Sequence, residues 1–94
     1  MKISIIGCGY VGIVTGVCLA DRGHKIYFFD KEKEKISNFK KGKKLIFEKN
    51  LKKKIISASK KKNIFFCDNL NETIKNTDVS FICVGTPFSK SNIN

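Results

Sequence analysis

The apolar positions of this 94-residue chain fall into four short runs, separated by stretches of helical spacing. Lys2 to Ile6 (Lys-Ile-Ser-Ile-Ile) reads as a first strand. Tyr10 to Arg22 reads as a helix, in which Val11, Val14, Val17, Cys18 and Leu19 recur near a period of about 3.6 residues. Gly16 inside that helix lowers its propensity and points to close packing on a sheet, and Gly23 suits the position just past a helix end. Lys25 to Phe29 is a second strand, rich in aromatic and β-branched residues, which Asp30 closes. Lys31 to Lys40 carries Ile36 and Phe39 on one side and charge elsewhere, a short amphipathic helix whose early Glu32 and Glu34 suit the helix dipole. Gly42 begins a connector, and Glu48 to Lys60 predicts another helix, with Leu51, Ile55 and Ala58 or Ser59 on one face. Asn63 to Cys67 is a third strand, followed by a capping-box variant at Asn69 and Glu72 and a short helix to about Asn76. Asp78 to Val84 is a fourth strand, nearly all apolar, as in parallel sheets covered on both faces. Gly85-Thr86-Pro87 ends it, and Phe88 to Asn94 has no pattern. The alternation βαβααβαβ predicts the α/β class: four parallel strands in order 3-2-1-4, right-handed crossovers and flanking helices, without repeats or linkers.

The first turn carries the chemistry. Gly7-Cys8-Gly9-Tyr10-Val11-Gly12 is a G-x-G-x-x-G sequence that leaves a strand and opens an apolar helix. In that context it is a dinucleotide-binding fingerprint, and the architecture becomes a partial Rossmann (doubly wound) fold. Gly7 permits the tight turn, Gly9 lets backbone approach a pyrophosphate, and Gly12 lets helix and strand pack closely. The helix start at Tyr10 and Val11 offers free N–H groups and the positive dipole end to phosphates. Asp30 stands 18 residues after Gly12 at the end of the second strand. Its carboxylate there can accept hydrogen bonds from ribose hydroxyls and repel a 2′-phosphate, which favours NAD over NADP. The same residue can cap the following helix, and the two roles are compatible. In order 3-2-1-4, the first and fourth strands flank the switch point where ligands bind, so Gly85 and Thr86, with Pro87 after them, border the cofactor.

Composition narrows the classes. Residues 31–62 hold 14 lysines and three acidic residues, so the whole formal charge of +11 lies in one segment. A basic patch for nucleic acid or anionic lipid is one reading. The chain has a single arginine, Arg22, and planar recognition of phosphate or guanine leans on arginine, so a solvated lysine-rich face is the expectation, with no specific nucleic-acid partner. No apolar run approaches the length of a membrane span, and Ile3 to Ile6 is too short for a signal peptide, which predicts a cytoplasmic protein without a membrane partner. Cys8, Cys18, Cys67 and Cys83 form no C-x-x-C pair, and His24 is the one histidine. The cysteines read as buried reduced thiols, and no metal site is expected. No catalytic set is visible: His24 sits at a turn far from the strand C-termini, and Cys8 has no base partner in the sequence.

Met1 to Asp30 and Asp78 to Pro87 together resemble the N-terminal NAD-binding domain of the UDP-glucose/GDP-mannose dehydrogenases. The residues that carry the resemblance are Gly7 to Ala20, Gly23-His24, Asp30, Lys35-Ile36 and Asp78 to Pro87. The resemblance implies NAD-dependent oxidation of a nucleotide sugar, UDP-glucose first and GDP-mannose as the alternative. A non-catalytic NAD-sensing module is a further alternative, as is a nucleic-acid binder acting through residues 31–62. The family motif places cofactor contacts at Val11, Asp30, Lys35 and Thr86. The family's Pro-x-x-Glu-Pro-Gly-Leu stretch stands here as Lys44-Leu45-Ile46-Phe47-Glu48-Lys49-Asn50-Leu51, without the prolines or the glycine. The resemblance spans about the first quarter of a family member. Residues 1–94 are therefore expected to be an incomplete NAD-binding domain, with the catalytic cysteine and the substrate domain beyond Asn94. The 94-residue chain alone is expected to be inactive, and its fourth strand to be an exposed sheet edge prone to self-association.

Overall fold

The computed structural model describes residues 1–40 and 49–83. In chain order the described elements are β1 (Lys2–Ile6), α1 (Tyr10–Asp21), β2 (Lys25–Phe29), α2 (Lys33–Lys40), α3 (Lys49–Lys60), β3 (Ile64–Phe66), α4 (Leu70–Lys75) and β4 (Val79–Ile82). The strands form one parallel sheet in the order β3-β2-β1-β4, as the alternation predicts. β1 lies in the middle, pairing Ile5 with Phe28 on one side and with Phe81 on the other.

One sheet face carries the core. Ile3, Ile5, Ile26 and Phe28 meet Ile13, Val17 and Ala20 of α1 and Ile36 and Phe39 of α2. Phe28 meets the Phe39 ring edge-on at 4.9 Å, and Phe39 meets Phe66 the same way at 5.3 Å. Each such pair contributes about 0.5–1.5 kcal/mol beyond the area it buries. Ile36 and Phe39 are thus the inward pair that their spacing predicts. Ile55 of α3 packs against this core, while Ile56 is exposed; the side chains of Leu51, Ala58 and Ser59 lie outside the described residues.

The buried face of α1 differs from the expected one. Gly12, Ile13, Gly16, Val17 and Ala20 face the sheet, whereas Val11 is 65% exposed and Val14 lies only part-way in. This helix is apolar nearly all round, so its period alone does not select a face. The glycines do. A Cβ at Gly12 would fall 2.0 Å from the Gly7 carbonyl oxygen, and one at Gly16 would fall 2.4 Å from the Phe28 ring. Only the glycine side of the helix can come so close to the strands.

The strand and helix ends shift by one or two residues for identifiable reasons. α1 stops at Asp21 with Arg22 as its cap, and Gly23 follows at φ +103°, a backbone region that favours glycine. β3 is shorter than predicted because Asn63 is used as a bracket: its side-chain amide donates to Ala20 O at 3.2 Å and its own carbonyl accepts from Ile26 N. Asp78 precedes β4, its amide donating to Lys2 O and its carboxylate accepting from Lys2 N. Asn69 caps α4, accepting from Glu72 N at 3.0 Å, as the capping pattern predicts.

The other sheet face is thinly covered. Ser4 is fully buried there and its hydroxyl meets those of Ser80 at 2.6 Å and Thr77 at 3.0 Å. β4 is not covered on both sides, contrary to its apolar sequence: Val79 and Phe81 are about two-fifths exposed and Ile82 is 64% exposed. It is an edge strand of the described sheet. The cysteines are free, but only Cys8 is buried; Cys18, Cys67 and Cys83 are partly exposed because they lie on the α3 side of α1 or at strand ends. His24 packs its Nδ1 away from solvent with no partner among the described residues. No helix among the described residues is long and apolar enough to cross a membrane.

The contact distances separate the glycines by substitution. Gly12→Ala and Gly16→Ala are each expected to cost about 2 kcal/mol through overpacking. At Gly9 no atom lies within 4 Å of the place a Cβ would take, so Gly9→Ala is expected to cost less than about 1 kcal/mol, the scale of a lost cap preference. Urea denaturation followed by circular dichroism measures all three.

Candidate functional site

The site forms where β1 and β2 end. Gly7 leaves β1 at φ +112°, and its amide still donates to Phe29 O at 2.8 Å, one rung beyond the ladder. The Cys8 amide donates to Asp30 Oδ2 at 2.7 Å, and its thiol turns inward towards Phe29 O. Gly9 is the N-cap of α1 in extended backbone, and its carbonyl accepts from Ile13 N at 3.0 Å. No side chain caps this helix. The amides of Tyr10, Val11 and Gly12 have no acceptor among the described residues, as expected of a helix's first turn. Tyr10 and Val11 are both largely exposed.

These features fit a pyrophosphate. Three free N–H groups and the positive end of α1 face a space that the missing Gly9 side chain leaves open. Gly12 answers a constraint inside the chain, whereas no described residue demands the emptiness beside Gly9. A ligand backbone passing close by would account for it.

Asp30 is buried at the end of β2, 9% exposed, and both its oxygens are engaged. Oδ2 accepts from Cys8 N and Oδ1 from Glu32 N, each at 2.7 Å. The second bond is the local cap that the sequence allows; the first ties the glycine turn to β2. Lys35, on α2, pairs with Glu32 at 3.6 Å across one helical turn. Beside Asp30 a recess of about 200 Å³ opens between the ends of β2 and β3, lined by Asp30, Lys33, Ile36, Ser37, Cys67 and Asp68. A roomier hollow of about 430 Å³ lies at the opposite strand ends around Lys2, Lys25, Lys75 and Asp78. It contains none of the fingerprint residues and sits where doubly wound sheets do not bind their ligands.

The structure therefore brings Gly7, Gly9, Tyr10, Val11, Gly12, Asp30 and Lys35 to one end of the sheet. Gly85, Thr86 and Pro87, and the Lys44 to Glu48 stretch, lie outside the described residues. Cys83 N donates to Ile6 O at 2.7 Å, so the described end of β4 runs beside the exit of β1. Sequence reasoning missed the Cys8 amide as a partner of Asp30, and the lining positions Ser37, Cys67 and Asp68. The Asp30-x-Glu32 bond was readable, since aspartate commonly accepts from the amide two residues on.

Cys8 has the most perturbed thiol here. Burial, reinforced by the charge of Asp30 and partly offset by Lys35, pushes its pKa from 9.0 up to about 12. It is a protonated packing residue at neutral pH and not a nucleophile. No group of three or more His, Cys, Asp or Glu among the described residues could hold a metal.

This thiol makes stability depend on alkaline pH. The folded protein keeps the Cys8 proton above the unfolded value near 9, so its stabilising share is full below pH 9 and is lost as pH rises towards about 12. The expected loss is about 1.4 kcal/mol per pH unit across that window. Comparing denaturation of the parent and Cys8→Ala from pH 8 to 11 checks it: the parent curve should fall more steeply than the variant's.

Known proteins share this fold. The profile of the UDP-glucose/GDP-mannose dehydrogenase family, NAD binding domain, matches residues 1–94. The chain is 47% identical over 87 residues to a UDP-glucose 6-dehydrogenase of Rhizobium meliloti, covering 93% of this chain and 20% of that protein. It is 37% identical over 91 residues to a GDP-mannose 6-dehydrogenase of Pseudomonas aeruginosa, covering 97% of this chain and 21% of that protein. Among solved structures, a ternary complex of GDP-mannose dehydrogenase from Pseudomonas aeruginosa superposes with a TM-score of 0.83 at 37% identity, over 97% of this chain and 21% of that one. A UDP-glucose dehydrogenase from Pyrobaculum islandicum superposes with a TM-score of 0.82 at 30% identity, over 95% of this chain and 21% of that one. The chain spans about one fifth of the length of the curated relatives it matches. With its glycine turn, its closing aspartate and NAD as its cofactor, the chain belongs to the UDP-glucose/GDP-mannose dehydrogenase family, within the NAD-binding domain.

Proposed function

We propose that residues 1–94 are the NAD-binding part of a UDP-glucose 6-dehydrogenase acting in the cytoplasm. The observation that carries the binding role is the open space at Gly9 in front of three unpartnered amides. The amides of Tyr10, Val11 and Gly12 hold the pyrophosphate, and Gly7 sets the turn that aims them. Asp30 accepts the adenosine ribose hydroxyls with the lone pairs its backbone partners leave free, and it repels a 2′-phosphate. Lys35 adds positive charge from α2 on the ribose side, and Gly85, Thr86 and Pro87 border the cofactor after β4. NAD, when bound, supplies the hydride acceptor for oxidation of the sugar C6 alcohol.

The higher identity to the Rhizobium meliloti enzyme favours UDP-glucose, oxidised to UDP-glucuronate with two NAD by the longer protein. GDP-mannose is the second reading, supported by the 37% identity to the Pseudomonas aeruginosa GDP-mannose 6-dehydrogenase. The chain spans about one fifth of its curated relatives, and the 94-residue chain by itself is expected to bind cofactor without turning it over.

Isothermal titration of the 94-residue chain tests the binding role. NAD should bind at least about tenfold more tightly than NADP, the scale of one misplaced charge. Absence of NAD binding overturns the reading, and NADH formation by this chain with UDP-glucose overturns the inactivity. In a longer polypeptide carrying this domain, NADH should form with UDP-glucose and not with GDP-mannose.

The exposed β4 edge supports a second property of the isolated chain, self-association by strand pairing. Sedimentation velocity should show mass rising with concentration, and Ile82→Lys, at a 64% exposed position, should shift the chain towards monomer. A parent chain that stays monomeric at its solubility limit removes this proposal.

A further inference from the structure

Asp30 does more than face a ligand. Cys8 is the middle residue of Gly7-Cys8-Gly9, and flanking glycines give that segment the widest backbone freedom in the chain. Among the described residues two bonds donated by its backbone amides fix it to the neighbouring strand end: Gly7 N to Phe29 O and Cys8 N to Asp30 Oδ2. The second bond is to a carboxylate whose other oxygen is held by Glu32 N at the same 2.7 Å distance. The two amides restrain the carboxylate group from both sides, and it is almost fully buried. A charge-assisted bond of this kind is short and roughly twice as strong as a neutral one.

We propose that Asp30 is a positioning residue for the phosphate-binding turn, and that it holds the opening of α1 in place whether or not a ribose hydroxyl is present. The proposal deepens the NAD-binding reading and rests on it only for the ligand measurements below. Its chemistry separates the two roles. Two backbone N–H donors need two acceptor oxygens. Asparagine offers one oxygen and one NH2 group, so in Asp30→Asn one amide would face another donor. A ribose hydroxyl, which can donate or accept, could still bond to asparagine. Hydroxyl recognition alone therefore tolerates the substitution better than the clamp does.

The ligand-free chain tests the clamp directly. Nuclear magnetic resonance of the parent should show a coupling across the hydrogen bond between the Cys8 amide nitrogen and the Asp30 carboxyl carbon. In Asp30→Asn, the Cys8 or Glu32 amide proton should move upfield and exchange faster, while amides of the β1–β2 ladder keep their positions. Absence of the coupling together with unmoved amides overturns the proposal. If the variant does not fold, the coupling in the parent decides alone.

A pair of ligands then separates clamp from contact. ADP and its 2′,3′-dideoxy analogue share the pyrophosphate and adenine and differ in the hydroxyls. If Asp30 positions the turn, Asp30→Asn weakens both by about tenfold, the effect of one lost charged hydrogen bond. If it only accepts from hydroxyls, the dideoxy analogue keeps its affinity in the variant, whether or not ADP weakens, and the positioning role is overturned. Should neither ligand bind the parent chain, the NAD-binding reading fails, and the resonance measurements still decide whether the clamp exists.

Discussion

The approach of α1 to the end of β1 is the constraint on which the rest of the molecule depends. Gly12 lies so near the Gly7 carbonyl that no side chain fits between them, and Gly16 lies nearly as close to the Phe28 ring. These two contacts set the depth of the helix on the sheet. They also choose which side of a uniformly apolar helix is buried, and they bring its first turn beside the exit of β1. Phe28 then becomes the centre of the core, because α1 covers one part of its ring and Phe39 of α2 meets another part edge-on. The free amides at the helix opening are thus held in place by how tightly the helix is seated.

Charge is arranged in two separate ways. The lysine-rich stretch spreads over solvated parts of α3 and the turn after it, where Lys53, Lys60, Lys61 and Lys62 are exposed. Such residues keep the chain hydrated and give the molecule a weak, salt-screened positive field. The Glu32–Lys35 pair is also exposed, worth about 0–1 kcal/mol at most. By contrast, Asp30, the one buried carboxylate among the described residues, is compensated by the backbone amides of Cys8 and Glu32, with no described lysine at hydrogen-bonding distance. Dipoles that cannot diffuse away do the work there, so the acidic group remains in a fixed place next to the positive helix end.

Much of this was legible in the sequence, for reasons that differ between elements. Strand order followed from the alternation of short apolar runs with helical stretches, because right-handed crossovers leave few alternatives. Ile36 and Phe39 were legible because charge surrounds them. The buried side of α1 was not, since Val11, Val14 and Val17 are as apolar as the residues that do face the sheet; only the steric role of Gly12 and Gly16 decides. Exposure of β4 was also hidden, because an apolar run reads the same at an edge as in the middle. At the site, the glycines and Asp30 were visible by spacing. The bond from Cys8 N to Asp30 was not, because it depends on a left-handed glycine turn that aims one amide at one carboxylate, and spacing does not encode aim.

Ser4 is the one polar residue between apolar neighbours in the middle strand, and it is fully buried. Its hydroxyl needs a partner, and Ser80 supplies one directly across from it, with Thr77 completing the group. Otherwise β1 and β4 are runs of similar apolar residues that could pair in several alignments. A slip of one residue would turn Ser80 to the wrong face, and a slip of two would set Asp78 or Ile82 opposite Ser4. A slip that leaves the buried hydroxyl facing an apolar residue costs about 1–3 kcal/mol, and one that sets Asp78 there draws a charged group into the sheet. A pair of serines, contributing little to the core itself, therefore serves as the alignment mark that lets two interchangeable hydrophobic strands meet in only one way.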